Sequence, residues 1–299
     1  MKIAVMGAGA VGCYFGGMLA RAGHEVTLVA RPEHVEAIRR SGLLMETLSF
    51  RERVRLDAGI EASAVAPAEL VLFCVKSIAT QAAGASMAPS LAPGCTIVSL
   101  QNGVDNAERL QAVAGHAVLA AVVRVAVEMV APGHICHRGG GELTLADGEP
   151  GRRLAQMLRA AGIAVRLSDN LPGEQWTKLV VNCALNALSA IAQKPFGPLL
   201  QVEGVQELMR EVVQECLAVA RAAGITVAGD PWEALRRSSS QGGQSSSMAQ
   251  DHARGRRSEI DHLNGYVVRR GEELGVATPA NRCLQVAVRL IEDRARQLH

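Results

Sequence analysis

The first 169 residues alternate short apolar runs with longer amphipathic stretches. The apolar runs occupy residues 2–7, 25–30, 70–76, 95–100, 117–123 and 164–169. Compact runs of this kind, bounded by glycine, proline or charge, are typical of strands that are buried on both faces. Helical patterns lie between them, near residues 10–22, 33–41, 77–90 and 104–113. The alternation predicts an α/β fold with a parallel sheet built from right-handed βαβ units.

The pattern changes near residues 169–173, where long helical segments with few β-branched runs replace the alternation. We therefore predict two domains: a Rossmann-type parallel-sheet domain over residues 1–170, and an all-helical domain over residues 171–299. A run of Ser, Gly and Gln from 238 to 247 interrupts the helices, and by composition alone it predicts a flexible loop.

One predicted helix, residues 174–191, carries a polar row on an otherwise apolar surface. Lys178, Asn182 and Asn186 follow one another at intervals of four, and Ser189 falls near the same line. Each four-residue step turns a helix by about 400°, so these side chains share one face. That face must meet water, another polar helix or a ligand.

A glycine-rich loop follows the first predicted strand. It has the pattern Gly7-x-Gly9-x-x-Gly12, with Ala8, Ala10 and Val11 between the glycines, and it opens a helix that leads to a second strand. This context predicts a dinucleotide site, in which the glycines allow a tight turn and close approach of the pyrophosphate to the helix N-terminus.

Arg31 stands after the second strand, where sites that prefer NAD usually carry Asp or Glu. A guanidinium offers charge and paired donors to a 2′-phosphate, so the sequence favours NADPH/NADP+ as the cofactor. The alternative is a solvated surface arginine. Two further polar turns follow predicted strands, at Lys76 and at Gln101–Gly103, and each taken alone could simply end its strand.

Composition excludes several classes of function. Apolar residues make up 48% and charged residues 20%, which is typical of a soluble globular protein. A net charge of +2 and 3% aromatic residues argue against nucleic-acid binding. Seven scattered cysteines indicate core thiols in a reducing compartment, and the dispersed histidines predict no metal site. With no predicted signal peptide or membrane span, we expect a cytoplasmic protein, and a homodimer stays open.

Six motifs occur together and in order: GAGAVG, LVAR, CVKS, QNGVDN, WTKLVVNCALNAL and SSMAQDHARGRRSEIDHLNG. With these motifs the chain resembles the 2-dehydropantoate 2-reductase (ketopantoate reductase) family over nearly its whole length. The resemblance implies a Rossmann domain followed by a helical domain, and reduction of the 2-dehydropantoate ketone by NADPH to (R)-pantoate in pantothenate biosynthesis.

The resemblance also implies roles for individual residues. Lys178 corresponds to the lysine that donates a proton to the substrate oxygen, and Glu259 to a catalytic glutamate that pairs with the lysine and also borders the cofactor. Substrate-binding roles fall on Asn102, Asn182, Asn186 and Ser247. Cofactor-binding roles fall on the loop from Gly7 to Gly12 and on Arg31, Lys76 and Asn102.

A structural role is the alternative for two of these residues. Lys178 alone could be a helix lysine with an exposed ammonium group, and Glu259 could favour a helix N-terminus behind a Ser258 cap. Asp261 is predicted to complete that cap. Two other functions remain: a related reductase of another 2-oxo acid or branched ketone, and a non-catalytic NADPH sensor. A sensor would need Gly7, Gly9 and Arg31 but no lysine and asparagine row.

Overall fold

A computed structural model describes residues 1–239, 243 and 245–297. The chain divides into two compact units, Met1–Leu171 and Pro172–His299. Of the run predicted as a flexible loop, residues 240–242 and 244 lie outside the described residues.

Unit 1 is built around one ten-stranded sheet. The strands are β1 Lys2–Met6, β2 Glu25–Val29, β3 Leu43–Glu46, β4 Arg51–Val54, β5 Asp57–Gly59, β6 Leu70–Phe73, β7 Thr96–Ser99, β8 Val118–Ala131, β9 His134–Ala146 and β10 Ala164–Ser168. Their order is β4-β3-β9-β8-β7-β6-β1-β2-β5, and β10 pairs with β9. Strands β5, β2, β1, β6, β7 and β8 are parallel neighbours. The β8–β9 and β3–β4 pairs are antiparallel.

Helices cover the sheet of unit 1. They are α1 Ala10–Arg21, α2 Pro32–Ser41, α3 Thr80–Met87, α4 Asn106–Ala114 and α5 Glu149–Ala160, with 3-10 turns at Ala62–Val65, Ser77–Ala79 and Ala88–Ser90. Strand β1 shows why its sequence is apolar throughout. Ile3 and Val5 belong to one buried cluster and Ala4 and Met6 to another. Because alternate side chains point to opposite faces, both faces of β1 are buried.

The predicted α/β class and the six predicted strands are confirmed, but the sheet is mixed rather than wholly parallel. Strands β3, β4, β5 and β9 were not predicted. The β9 sequence, HICHRGGGELTLA, contains three glycines and several polar residues, so it lacks the apolar run that the other strands show. Pairing with the long strand β8, through several register shifts, makes it a strand nonetheless.

The predicted helical character of the C-terminal region is confirmed, because every regular element in the described part of unit 2 is a helix. After α6 Leu171–Ala192 come α7 Phe196–Leu199, α8 Val205–Ala222, α9 Pro231–Ser239, α10 Ser247–Ala253, a 3-10 turn Ile260–His262, α11 Asn264–Leu274 and α12 Pro279–Gln297. None of the helices in the described ranges has the length and apolar character needed to cross a membrane.

Polar side chains that are buried or half-buried fix the helices of unit 2 against one another. The Glu215 carboxylate accepts the N–H groups of Ala280 at 2.8 Å and Asn281 at 2.9 Å, which satisfies the first turn of α12. The Asn264 amide donates to the Asn281 side-chain oxygen at 3.0 Å and to the Cys183 carbonyl at 3.1 Å. These bonds hold α6, α8, α11 and α12 in one arrangement.

Candidate active site

The glycine-rich loop makes a tight turn from β1 into α1. Gly7 has φ +91°, a conformation that favours glycine. The N–H groups of Gly7 and Ala8 both donate to the Val29 carbonyl, at 3.1 and 2.8 Å, which ties the loop to the end of β2. Helix α1 then starts with no side-chain cap on its first N–H groups. Such an uncapped N-terminus suits a phosphate.

The three glycines differ in what a side chain would meet. A Cβ on Gly7 would lie 2.7 Å from the Val75 nitrogen, and one on Gly12 would lie 2.8 Å from the Gly7 carbonyl oxygen. Apart from its chain neighbours, a Cβ on Gly9 would meet no atom of the described residues within 4 Å. Packing therefore explains glycine at 7 and 12 but not at 9. Open space beside an exposed Gly9 fits the close approach of a dinucleotide pyrophosphate.

Arg31 lies just beyond β2, as the N-cap residue of α2. Its side chain is 58% exposed, and its Nε lies 3.4 Å from Oε1 of Glu33. An exposed pair of this kind is weak, so the guanidinium can exchange this partner for a phosphate. Both alternatives for Arg31, a surface arginine and a 2′-phosphate ligand, are compatible with this position.

A buried polar network lies beneath the two turns that bear Lys76 and Asn102. The Asn106 amide donates to the Ser77 hydroxyl at 3.0 Å and to the Asn102 carbonyl at 2.5 Å. The Arg109 guanidinium donates to the Asn106 side-chain oxygen at 3.1 Å and to the Ser77 carbonyl at 3.2 Å. The turn after β6 and the turn after β7 are thus joined to each other.

Gln101 completes this network. Its side-chain amide donates to the Val75 carbonyl at 3.0 Å and to the Thr80 hydroxyl at 2.8 Å. Asn106, Gln101, Thr80 and Ser77 are all at least 90% buried. The turns are therefore held in place, while the Lys76 side chain is exposed and Asn102 is half-buried. Both residues thus lie at the carboxyl ends of parallel strands, where such sheets bind ligands.

In unit 2, the side chains of the predicted polar row on α6 become more buried towards the C-terminal end of the row. Lys178 and Asn182 are half-buried, Asn186 is 8% exposed, and Ser189 is fully buried. The Ser189 hydroxyl donates to the Lys194 carbonyl at 2.8 Å and accepts the Ser246 N–H at 3.2 Å. Ser189 therefore has a structural role, and the accessibility of the row falls from Lys178 and Asn182 to Asn186, which keeps a small exposed surface.

Two adjacent serines begin α10 and differ sharply in environment. Ser246 is 3% exposed and is the N-cap, since its hydroxyl accepts the Ala249 N–H at 3.0 Å. The same hydroxyl lies 3.2 Å from the Asn186 carbonyl, to which it donates. Ser247, the predicted substrate ligand, is exposed. The structure thus attaches the first turn of α10 to the polar row of α6.

Glu259 lies in a buried segment and is 6% exposed. Its carbonyl accepts the N–H groups of His262 at 2.9 Å and Leu263 at 3.1 Å. The Ser258 hydroxyl accepts the Ile260 N–H at 3.3 Å, although the residue in the N-cap position of the 3-10 turn is Glu259. The predicted role of Asp261 is wrong, however, because the Ser258 N–H donates to Glu292 instead. The Asp261 carboxylate accepts from Gln285 and Arg289, both at 2.8 Å.

Sequence reasoning missed several residues that support these positions. Asn106 and Thr80 were not singled out, although Asn106 ends the QNGVDN motif and its type suits a turn. Glu292 gave no signal, since it stands in a charged helix end, LIEDRARQ. Among the described residues, no group of three or more His, Cys, Asp or Glu side chains is arranged to hold a metal. All seven cysteines are free, and burial raises the pKa of the Cys13 thiol to about 12.

The parallel strands of unit 1 and the glycine-rich turn between β1 and α1 are typical of the dinucleotide-binding domains of oxidoreductases. Models of ketopantoate reductase PanE/ApbA match residues 3–150, and models of its C-terminal domain match residues 170–292. The chain belongs to the ketopantoate reductase family.

Relatives of known structure or function resemble the chain over its whole length. A PanE/ApbA family ketopantoate reductase from Ralstonia eutropha is 56% identical and has a TM-score of 0.96, with 99% of this chain and 100% of that one covered. The 2-dehydropantoate 2-reductase of Pyrococcus horikoshii is 30% identical, with 98% of each chain covered. A D-mandelate dehydrogenase solved with NADH and anilino(oxo)acetate is 26% identical, with a TM-score of 0.92 and coverage of 99% and 100%.

Proposed function

We propose that this protein reduces 2-dehydropantoate to (R)-pantoate with NADPH, as a step in pantothenate biosynthesis. The observation that carries the proposal is the row of Lys178 and Asn182 on α6, half-buried on a helix whose other side chains from Trp176 to Ala190 are mostly apolar and buried. Family membership gives the reaction type, and this row supplies the chemical groups that the reaction needs.

NADPH is proposed as the reductant because unit 1 offers both halves of a binding site for its phosphates. We propose that the open space at Gly9 takes the pyrophosphate and that Arg31, exposed after β2, binds the 2′-phosphate of the ribose. When bound, the nicotinamide supplies a hydride to the ketone carbon. Lys76 and Asn102, on the two connected turns, are proposed to contact the cofactor, and Asn102 also the substrate.

Lys178 is proposed as the proton donor. Hydride addition to a ketone places negative charge on the oxygen, and a nearby ammonium group stabilises that charge before giving up a proton. Glu259, a buried carboxyl group near a lysine in the family pattern, is proposed to pair with Lys178 and with the substrate. The proton passes from Nζ of Lys178 to the substrate oxygen, which becomes the hydroxyl of pantoate.

Ser247, Asn182 and Asn186 are proposed to bind the rest of the substrate. The exposed Ser247 hydroxyl can donate to the substrate carboxylate, and the two asparagines can pair with its hydroxyl group. A site that pairs a substrate hydroxyl discriminates strongly against analogues that lack it, because its own polar groups are then left without partners.

Steady-state kinetics with a panel of 2-oxo acids tests the proposal. We expect kcat/KM for 2-dehydropantoate to exceed that for 3-methyl-2-oxobutanoate, which lacks the hydroxymethyl group, by at least about a hundredfold. Asn186→Ala should reduce this preference, while Ser247→Ala should slow both substrates alike. Equal rates with both substrates would indicate a broader 2-oxo acid reductase. A preference for an aromatic 2-oxo acid would place the enzyme nearer to the D-mandelate dehydrogenase.

The role of Lys178 is tested separately. Lys178→Ala should lower kcat by at least about a hundredfold, the effect of losing a general acid, and leave the protein folded. The sequence has four lysines, at 2, 76, 178 and 194, and the exposed Lys194 is the matched control. Lys194→Ala should retain full activity. A Lys178→Ala enzyme as active as the control would mean that the polar row has a structural role and not a catalytic one.

A further inference from the structure

One carboxylate in unit 2 contacts both segments that carry proposed substrate residues. Oε1 of Glu292, near the end of α12, accepts the Ser258 N–H at 2.8 Å. The same oxygen lies 3.3 Å from Nε2 of His252, which is on α10. The first contact is one residue from Glu259, and the second is on the helix that begins with Ser247.

This contact is buried. The side chains of His252 and Glu292 are 6% and 9% exposed. Burial by itself raises the pKa of the Glu292 carboxyl group, but hydrogen bonds from His252 and from the side chain and backbone of Ser258 outweigh it and lower the pKa to about 2. Glu292 is therefore an anion at neutral pH. Hydrogen bonds to an ionised acceptor are about twice as strong as neutral ones.

Hydrogen bonds fix the chain on both sides of Glu259, and the bond on the N-terminal side is made by Glu292. On the C-terminal side, the Glu259 carbonyl is bound by the N–H groups of the following 3-10 turn. On the N-terminal side, the Ser258 N–H has the Glu292 carboxylate as its acceptor. Removal of the carboxylate would leave this buried N–H without its acceptor and release the segment before Glu259.

We propose that Glu292 is a positioning residue that holds Glu259 and the Ser247-bearing helix in the arrangement required for reduction. This inference rests on the proposed function, which assigns Ser247 and Glu259 to the substrate. Glu292 acts through Ser258 and His252, and it does not itself touch the reacting groups.

Two substitutions at Glu292 and one matched control test the proposal. Glu292→Ala removes the acceptor, whereas Glu292→Gln keeps an acceptor oxygen for the Ser258 N–H and removes only the charge. Asp293→Asn changes the neighbouring carboxylate, which is exposed and, among the described residues, pairs with Arg296 and Gln297 of its own helix end. Asp293→Asn should therefore behave as the unaltered enzyme.

We expect Glu292→Ala to lower kcat/KM for 2-dehydropantoate by at least about tenfold, since small displacements of substrate-positioning groups can cost up to about a hundredfold. The loss should appear in both kcat and KM, while the Kd for NADPH, whose proposed ligands apart from Glu259 lie in unit 1, should change much less than kcat/KM. Glu292→Gln should recover part of the loss. Both tryptophans, Trp176 and Trp232, lie in unit 2, so their fluorescence confirms that each variant is folded.

A folded Glu292→Ala enzyme with kcat/KM within twofold of the Asp293→Asn control would overturn the proposal. If Glu292→Ala does not fold, the same comparison is made with Glu292→Gln, which loses the charge, and with His252→Ala, which loses the contact to α10. Full activity in both variants would overturn the proposal.

Hydrogen exchange separates this proposal from the assignment of substrate. Peptides that cover residues 247–253 and 257–260 should exchange faster in the Glu292 variants than in Asp293→Asn, whatever the enzyme reduces. An unaltered enzyme that is inactive on 2-dehydropantoate contradicts the proposed function. Unchanged exchange at Ser258 contradicts the positioning role of Glu292.

Discussion

The hydroxyl group of Ser246 joins α10 to α6: it donates to the Asn186 carbonyl at 3.2 Å and accepts the Ala249 N–H at 3.0 Å. The neighbouring Ser247 makes no part of this junction and is exposed. Ser246 therefore anchors the helix, whereas the exposed Ser247 is available to bind a ligand. This division predicts opposite effects for the same substitution at the two positions.

Ser246→Ala should lower the free energy of unfolding of unit 2 by about 1–2 kcal/mol, because it removes an N-cap and leaves buried groups without partners. Ser247→Ala should change that free energy by no more than about 0.5 kcal/mol, as is usual at exposed positions, but should raise KM for the 2-oxo acid. Urea unfolding followed by tryptophan fluorescence, together with steady-state kinetics, measures both quantities. The reverse pattern would mean that Ser247 is the structural residue.

Gly9 and Gly12 form a second matched pair. Gly9 has φ −75° and open space at its Cβ position, so Gly9→Ala should cost at most about 1 kcal/mol in the free energy of unfolding. It should nevertheless weaken dinucleotide binding, since the methyl group occupies the space proposed for the pyrophosphate. Gly12→Ala should instead destabilise unit 1, because its Cβ would lie 2.8 Å from both the Gly7 carbonyl oxygen and a Val5 methyl group. Calorimetry and NADPH titration distinguish the two; unchanged NADPH affinity in Gly9→Ala would exclude this loop as the pyrophosphate site.

Arg31 is expected to decide the choice between the two nicotinamide cofactors. Arg31→Ala should weaken NADPH binding by about 1.5–3 kcal/mol, the range for a hydrogen bond to a charged group, with little change for NADH. Glu33→Gln removes the carboxylate that pairs with Arg31 at 3.4 Å, so NADPH should bind at least as tightly as before. Fluorescence titration with both cofactors measures these affinities. Equal losses for NADPH and NADH in Arg31→Ala would assign Arg31 to another role.

The sequence predicted the helices and strands whose burial produces a regular pattern of apolar residues. It missed the strands that form only because they pair with a strand elsewhere in the chain. Strand β1 is apolar at nearly every position because both of its faces are covered. Strand β4, Arg51–Val54, has three exposed residues and forms only because β3 pairs with it. Its sequence, RERV, has no pattern that distinguishes a strand from a loop.

The candidate site shows the same limit. The spacing of Lys178, Asn182 and Asn186 indicates a common helix face, since it depends only on local geometry. The contact between Glu292 and Ser258 joins residues 34 positions apart, and no local pattern reports it. The misassigned Asp261 is of the same kind. Its spacing from Ser258 suits a cap, but its side chain is bound by Gln285 and Arg289 of α12.

Acid stability offers a direct measurement of the Glu292 contact. Hydrogen bonds from His252 and Ser258 lower the pKa of Glu292 from 4.5 to about 2 in the folded protein, against the effect of burial. A carboxyl group whose pKa is lower when folded stabilises the protein above its unfolded pKa, and loses that contribution as the pH falls through the folded value. The stabilisation should be complete above about pH 5, decline below pH 4.5 and be absent below about pH 2.

Glu292→Gln should therefore unfold more readily than the unaltered protein at pH 6, with a difference on the order of 3 kcal/mol at most, and this difference should shrink as the pH falls from 4.5 towards 2. Urea unfolding followed at Trp176 and Trp232 gives the free energy for unit 2 at each pH. Asp293→Asn should differ from the unaltered protein by no more than about 0.5 kcal/mol across the same range, because Asp293 is exposed. A difference between Glu292→Gln and the unaltered protein that stays constant with pH would mean that ionisation of Glu292 contributes nothing to the stability of the folded protein.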